Sequence, residues 1–560
     1  MSTRCSTMIA LGLWMMATAA CGSDIDPADM VVRGATIATV DEANPQAQAL
    51  AIRDGRLIAI GSDEAINRHV GPDTDVLDLD GQLVVPGFID SHAHVLWVGD
   101  ARLQLRLDET KTWDEVVELV AAAVARAQPG EWIRGRGWHQ EKWDAVPSPV
   151  VEGFPVHDTL SAISPDNPVV LNHASEHGVF ANANAMELRG IDRATPDPEG
   201  GDLLRDAAGN PTGMFRETAQ ALVAPPPADA ALTRRKMALA ADELLSKGVT
   251  SVHDVGVSFA ELDIYRQLVA EDALPVRLWV MVQEPNDVLA AGLARHEVTG
   301  LGDHRLTVGG IKKFADGAMG SRGAWLLAPY SDRPGSSGLN TTPMDEIAET
   351  ARLALERGYQ LCVHAIGDRA NREVLDLYER IARDHPGRDL RWRIEHAQQL
   401  DPADIPRFAE LGVIAVMQGV HARSDGPWVG ERLGPERTAT GSYMWRALID
   451  SGAVVANGTD APVEDINPLP TFHASVTRQL PDGSTFHPGQ RMTRAEALRS
   501  YTYNAAYAAF EEDLKGSLAV GKLADMAVLS KDILTIPDAE ILTTEVLYTI
   551  VGGQIVYRKE

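Results

Sequence analysis

Val84-Val85-Pro86-Gly87-Phe88-Ile89-Asp90-Ser91-His92-Ala93-His94 decides how this 560-residue chain is read. An apolar run broken by Pro-Gly and ending in His-x-His predicts a buried strand over Val84–Ile89 whose last residues turn polar. Alternate side chains of a strand share a face, so His92 and His94 point one way and small Ala93 the other. Two imidazoles on one face can grip a single metal ion. The same pattern also fits an ordinary polar strand end, and the residues that weigh between the two lie downstream.

Seven further apolar runs follow: Val249–His253, Val276–Val282, Leu306–Phe314, Gln360–His364, Arg391–Glu395, Val413–Met417 and Val454–Asn457. Each is succeeded by loop or helical sequence such as Ala370–Arg383 or Pro402–Glu410. Eight strands in that alternation predict an α/β fold, a (β/α)8 TIM-like barrel over residues 86–510. Residues 95–227 are too many for one repeat and carry their own strands, Trp132–Gly135 and Val169–Asn172. They read as an insertion over the barrel mouth, closed off by Pro225-Pro226-Pro227. Short apolar runs between Gly, Asp and Asn mark residues 31–85, with a hairpin at Asp54-Gly55, and residues 511–560 have the same texture. Strands at both ends suggest one small β-sandwich domain built from both termini; two separate β-appendages are the plainer alternative.

On this frame His364 ends the fifth strand, His396 the sixth and Asp460 the eighth. C-terminal strand ends of a barrel ring a single mouth, so these three join His92 and His94 there. Four imidazoles and a carboxylate suit zinc or a similar divalent metal, as one or two ions. A single His at a strand end is usually structural, but that reading is hard to sustain for five such positions on one rim. Lys312, in Gly309-Gly310-Ile311-Lys312-Lys313-Phe314, is out of place beside a cation, because an ammonium only donates. Carboxylated by carbon dioxide, a carbamylated Lys312 would bridge two ions. Lys313 competes for that role, since alternation lets only one of the two point inward.

The formal charge of −28 argues against nucleic acid and against an anionic bilayer surface as partners. Met8 to Ala20 is an apolar core after Arg4, followed by Thr18-Ala19-Ala20-Cys21, so residues 1–21 read as an export signal with a lipoprotein-like box. Membrane attachment through a lipidated Cys21, ordinary cleavage after an Ala, and a buried N-terminal helix are the three readings. Cys5 lies in the signal and Cys362 stands alone, so the mature chain holds no disulfide framework.

Taken together, Pro86 to His94, Lys312 to Gly317, His364-Ala365-Ile366-Gly367-Asp368, Ile394-Glu395-His396-Ala397, Gly458-Thr459-Asp460-Ala461-Pro462 and Gly521-Lys522-Leu523-Ala524-Asp525 resemble the amidohydrolase superfamily. The likeness is to the amidohydrolase 3 group, which holds the YtcJ-like proteins and N-substituted formamide deformylase, and it runs from about Val31 to the C-terminus. It implies metal ligands at His92, His94, Lys312, His364, His396 and Asp460, and its spacing before Asp316 favours Lys312 over Lys313. It further implies that His177 and Asn182 lie over the site, where they either contact substrate or serve a structural role in the loop. Trp138 and Trp143 either wall the pocket or pack the insertion. Gln418-Gly419-Val420-His421 resembles a family segment with Pro where Gly419 stands, which makes Gln418 and His421 substrate-binding candidates. The implied reaction is hydrolysis of a non-peptide carbon–nitrogen bond in a small amide or formamide, with Asp460 as the catalytic base and then acid. An esterase, lactonase or isomerase on the same site, or a non-catalytic ligand-binding surface lipoprotein, are the alternatives.

Overall fold

The computed structural model describes residues 27–140, 143–173, 178–198, 201–226 and 228–560. The proposed export signal with Cys21, and His177, lie outside these residues. Eight strands form the central sheet: β1 (Phe88–Ala93), β2 (Val249–Val257), β3 (Arg277–Val282), β4 (Leu306–Phe314), β5 (Gln360–Ala365), β6 (Arg393–His396), β7 (Ile414–Met417) and β8 (Val455–Asn457). They pair in chain order, every neighbour around the barrel parallel, while a ninth short strand, Val298–Gly300, pairs antiparallel with β4 off that path. Helices such as Met344–Arg357 and Asp368–Asp384 separate successive strands, giving the (β/α)8 barrel. Its interior is packed by Val255, Trp279, Met281 and Cys362, with Gly309 lying flat against the Trp279 indole. Cys362 is free and buried, and burial pushes its thiol up to about 12, so it behaves as a small apolar residue.

Side chains close the barrel where β8 meets β1. The Asp90 carboxylate accepts from the backbone N–H groups of His92 (3.0 Å) and Thr459 (3.1 Å) and from the Thr459 hydroxyl (2.6 Å). Asp460 N–H then donates to the His92 carbonyl at 2.7 Å. The two segments run so close that a Cβ on Gly458 would meet His92 N at 2.7 Å.

The opening stretch folds differently from the single strand its apolar run suggests. Leu83–Pro86 pairs with Met526–Leu529 and Thr36–Ala38 in another sheet, and only Phe88–Ala93 belongs to the barrel. Gly87 is the pivot, packed so tightly that a Cβ would lie 2.2 Å from Thr250 Oγ1. The terminal strands build two sheets, a four-stranded one from Met30 to Asp78 and a six-stranded one combining Thr36–Ala38, Gln46–Ala47 and Leu83–Pro86 with the three C-terminal strands. Val32, Leu50, Ile52, Val84, Met526, Val528 and Ile550 fill the space between them, making the β-sandwich. Its hairpin turns at Asp54 and Gly55, both with positive φ as a tight two-residue turn requires.

The insertion has a six-stranded sheet of its own, including Ile133–Trp138 and Val169–His173, over a core of Trp113, Trp138, Leu171 and Phe180. It starts later than residue 95. The helix Val95–Ala101 packs on the barrel helix Ala230–Ser246, where a Cβ on Gly99 would strike the Lys236 carbonyl. Asp100 at its end takes Lys236 (2.7 Å) and, from the insertion, Arg134 (2.8 Å). No helix among the described residues is long and apolar enough to cross a membrane.

Candidate metal centre

His92 is the penultimate residue of β1, and His94 caps the next helix. Their Nε2 atoms lie 3.5 and 3.3 Å from Asp460 Oδ1. His396 leaves β6 with φ of 76° and Asp460 leaves β8 with φ of 59°, the left-handed region that non-glycine residues rarely occupy. Strand alternation would aim His396 away from Arg393 and Glu395, and this turn of the backbone is what brings it into the mouth. His364 stands beside it, ring centroids 4.6 Å apart. Strained backbone at ligand positions is held in place by the packing around it.

What lies behind each imidazole fixes which nitrogen faces the centre. His92 Nδ1–H donates to Glu395 Oε2 at 2.5 Å, His94 Nδ1–H to the Val255 carbonyl at 2.9 Å, and His396 Nδ1–H to Gln418 Oε1 at 2.8 Å. His92 and His94 therefore present a bare Nε2 to Asp460, whereas the His396 nitrogen nearest that carboxylate is Nδ1, 4.0 Å from Oδ2. His92 Nε2 is buried with no hydrogen-bond partner, whereas His364 Nε2 lies 3.5 Å from Asp316 Oδ1, so His364 is not drawn onto Asp460 with the others. Burial, helped by the Lys312 charge, lowers His92 to about 4 and His364 to about 3, so both rings are neutral at pH 7. Imidazole nitrogens converging on one carboxylate are the donor set of a divalent metal site.

A buried ion pair supports this layer. Arg393 grips Glu395 with two hydrogen bonds, Nε to Oε1 at 2.8 Å and Nη2 to Oε2 at 3.0 Å, and donates as well to the Ser91 carbonyl. Burial pushes the Glu395 carboxyl up, yet Arg393 and His92 outweigh it and hold it down to about 2. Glu395 is thus an anion whose role is to orient His92 and raise its basicity. Asp316 does similar work for β5, accepting from the N–H groups of Trp325, Ile366 and Gly367 at 2.8 to 2.9 Å.

Lys312 and Lys313 separate as alternation requires. Lys312 is buried with its Nζ 4.8 Å from the centre of the Phe314 ring, on the face that carries the ligands. Burial pulls its amine down to about 8 against the pull of Glu395 and Asp460. Lys313 points to the helix layer, 3.2 Å from Glu346.

A family model described as "Amidohydrolase family" matches residues 75–557. The chain belongs to this family. It is 35% identical over 545 residues to Protein LONG AFTER FAR-RED 3 of Arabidopsis thaliana, covering 95% of this chain and 92% of that one. To putative amidohydrolase YtcJ of Bacillus subtilis it is 32% identical, covering 94% and 99%. To N-substituted formamide deformylase of Arthrobacter pascens it is 29% identical, covering 95% and 98%. Among solved structures, an uncharacterized metal-dependent hydrolase from Pyrococcus horikoshii superposes with a TM-score of 0.77 at 28% identity, covering 91% of this chain and 99% of that one. Fold and family thus agree with the resemblance carried by the motifs.

Within this amidohydrolase the residues expected to touch substrate divide. Asn182 does not face the mouth. It is fully buried as the N-cap of the helix Ala183–Leu188, accepting from Val169 and Ala185 N–H and donating to Ser164 and Asn167, so no hydrogen-bonding group is left for a ligand. Trp138 likewise packs inside the insertion, stacked on Trp143 and donating to the Leu171 carbonyl. Gln418 reaches the centre indirectly, as the partner of His396. His421 lies closer, with one of its nitrogens in a group with His396 and Asp460 whose atoms are all within 4.8 Å. Sequence reading passed over Asp90, Arg393 and Glu395. The signal was present in Arg393-Ile394-Glu395-His396, where opposite charges two apart on a buried strand must pair inside the barrel.

Proposed function

We propose that this amidohydrolase hydrolyses a carbon–nitrogen bond in a small amide or formamide, using zinc or a similar divalent ion. The observation that carries the reading is the convergence of the bare Nε2 atoms of His92 and His94 on Asp460, with His396 and His421 grouped on the same carboxylate. The likeness to N-substituted formamide deformylase over nearly the whole chain supports the choice of bond. An ion held by His92, His94, His364, His396 and Asp460 would supply Lewis-acid chemistry, lowering the pKa of bound water to about 7 and polarising a carbonyl. Asp460, touching the inner nitrogens of His92 and His94, accepts the proton of the attacking water at a carboxylate oxygen and returns it to the leaving nitrogen. Glu395 and Gln418 keep the imidazoles from turning. The net negative charge disfavours anionic substrates at long range.

Lys312, if carbamylated, would offer oxygen ligands to the metal site. Its burial on the ligand face supports this, because an unmodified ammonium would repel the ions beside it. Zinc reconstitution of the apoenzyme in bicarbonate is expected to restore more activity than in carbon-dioxide-free buffer, and Lys312→Ala to lose bound zinc while Lys313→Ala keeps it. Equal recovery in both buffers, with full zinc in Lys312→Ala, would return the site to His and Asp ligands alone. Turnover of activated esters but of no amide or formyl amine would overturn the choice of bond. Export, with Cys21 as a lipid anchor, completes the proposal and rests on the Met8 to Cys21 pattern.

A further inference from the structure

His421 stands in the first turn of the helix Gly419–Asp425, directly after β7. It is buried, and its ring is nearly parallel to that of His396 with centroids 6.3 Å apart. By position it would pass for one more metal ligand. Its hydrogen bonding differs. His92, His94 and His396 each give Nδ1–H to an oxygen. His421 Nδ1 instead faces the Gln398 amide nitrogen at 3.1 Å. An amide nitrogen only donates, so His421 Nδ1 is the accepting atom and its proton sits on Nε2. That Nε2 is buried without a partner, and so is Gln418 Nε2 three residues before it. Buried donors lacking an acceptor are rare in folded proteins, and a site that receives an oxygen from its ligand accounts for them.

We propose that His421 is a catalytic residue that donates Nε2–H to the carbonyl oxygen of the substrate, and that Gln398 is the positioning residue that fixes this tautomer. The assignment rests on the hydrolytic reading above and states how the acyl oxygen is held. As water oxygen bonds to the carbonyl carbon, the C=O π pair moves onto oxygen, and that oxyanion accepts the Nε2–H hydrogen bond. The pair returns as the C–N bond breaks, the nitrogen leaving with the proton carried by Asp460. His421 keeps its Nε2–H throughout and serves as a fixed donor where the oxyanion forms.

The zinc-loaded enzyme and its His421→Ala, His421→Gln and Gln398→Glu variants test this. His421→Ala is expected to keep its zinc by elemental analysis and lose about 10²- to 10³-fold in kcat with little change in KM, the usual cost of one oxyanion donor. His421→Gln should recover part of that loss, because its side-chain amide also donates. Gln398→Glu offers only acceptors, so it should move the proton to Nδ1 and lower kcat with His421 untouched. Solid-state ¹⁵N spectra of histidine-labelled enzyme, assigned by difference against His421→Ala, should show the Nε2–H tautomer in the wild type and the Nδ1–H tautomer in Gln398→Glu. Zinc loss in His421→Ala would make His421 a ligand, unchanged kcat would make it packing, and an Nδ1–H wild-type tautomer would remove the donor; each overturns the proposal. Should the wild type hydrolyse no amide, the bond assignment falls by itself. Formate affinity by calorimetry, expected to weaken at least tenfold in His421→Ala, still decides on the donor.

Discussion

Asp525→Ala is expected to destabilise the protein by about 3–5 kcal/mol without altering the metal centre, because it strands a buried guanidinium. Arg277 begins β3, at the end of the barrel opposite the mouth. Its Nε and Nη2 reach Asp525 Oδ2 and Oδ1 at 2.7 and 3.0 Å, with side-chain exposures of 1% and 4%. Gly552 N–H adds a third bond to the same carboxylate at 2.8 Å, so the cluster clamps the C-terminal sheet of the sandwich onto the barrel. Removing one partner leaves a charge without water or counter-ion, whereas replacing both by apolar residues removes the problem. Arg277→Met/Asp525→Leu should therefore lie within about 1–2 kcal/mol of wild type. Urea unfolding followed by circular dichroism and by tryptophan fluorescence reads the effect, and kcat per folded molecule should not move. The pH dependence gives an independent sign. Burial pushes the Asp525 carboxyl up, but Arg277 outweighs it and holds it below its usual range. A carboxyl depressed in the folded state contributes fully above the unfolded value of about 3.9 and loses that contribution as pH falls through the folded value. The gap between wild type and Asp525→Asn should narrow only below about pH 4. A loss under about 1 kcal/mol at pH 7, or a gap independent of pH, would refute the clamp.

Glu395→Gln should weaken zinc binding about 10- to 100-fold with His92 intact, since the anion that orients His92 is gone, and competition with a chelator measures it. Unchanged affinity would show that Arg393 and Glu395 serve the barrel core alone. His92→Ala and His94→Ala should each reduce zinc and activity together; full zinc in both would remove them as ligands. Cys21→Ser should move the protein from the membrane fraction to the soluble one, and unchanged partition would count against lipid anchoring.

The barrel was legible because β2 to β8 are apolar runs of strand length, and each is found within four residues of its expected ends. The first strand was misjudged for a physical reason. Val84 to Ile89 is continuous in hydrophobicity, but Pro86-Gly87 splits it between two sheets, and both halves are buried, so apolar patterning cannot mark the break. His177 lies outside the described residues, so only Asn182 of that pair can be placed. Asn182 carries the same side chain whether it caps a helix or binds a ligand, and only the position of Ser164 and Asn167 reveals which. The Val255 carbonyl that anchors His94 has no sequence signal, because every residue offers the same backbone oxygen whatever its side chain.

The Asp90 carboxylate joins fold to chemistry more directly than any ligand does. β8 and β1 are the one neighbouring pair in the barrel without a described ladder, yet they carry three of the converging ligands, His92, His94 and Asp460. A seam held only by apolar contact would let the two strands slide, and a slide of a few tenths of an ångström would spread the ligand atoms. Asp90 prevents it by holding His92 N–H on one side and both the N–H and hydroxyl of Thr459 on the other. Two backbone bonds, Asp460 N–H to the His92 carbonyl at 2.7 Å and His94 N–H to the Ala461 carbonyl at 2.8 Å, join Asp90 in closing the seam. Gly458 follows from this arrangement, since only a residue without Cβ lets Asp460 approach the His92 carbonyl. The Asp-x-His-x-His and Asn-Gly-Thr-Asp segments are consequently one structural unit, in which the first aspartate and the threonine set the distance across which the histidines and the last aspartate meet.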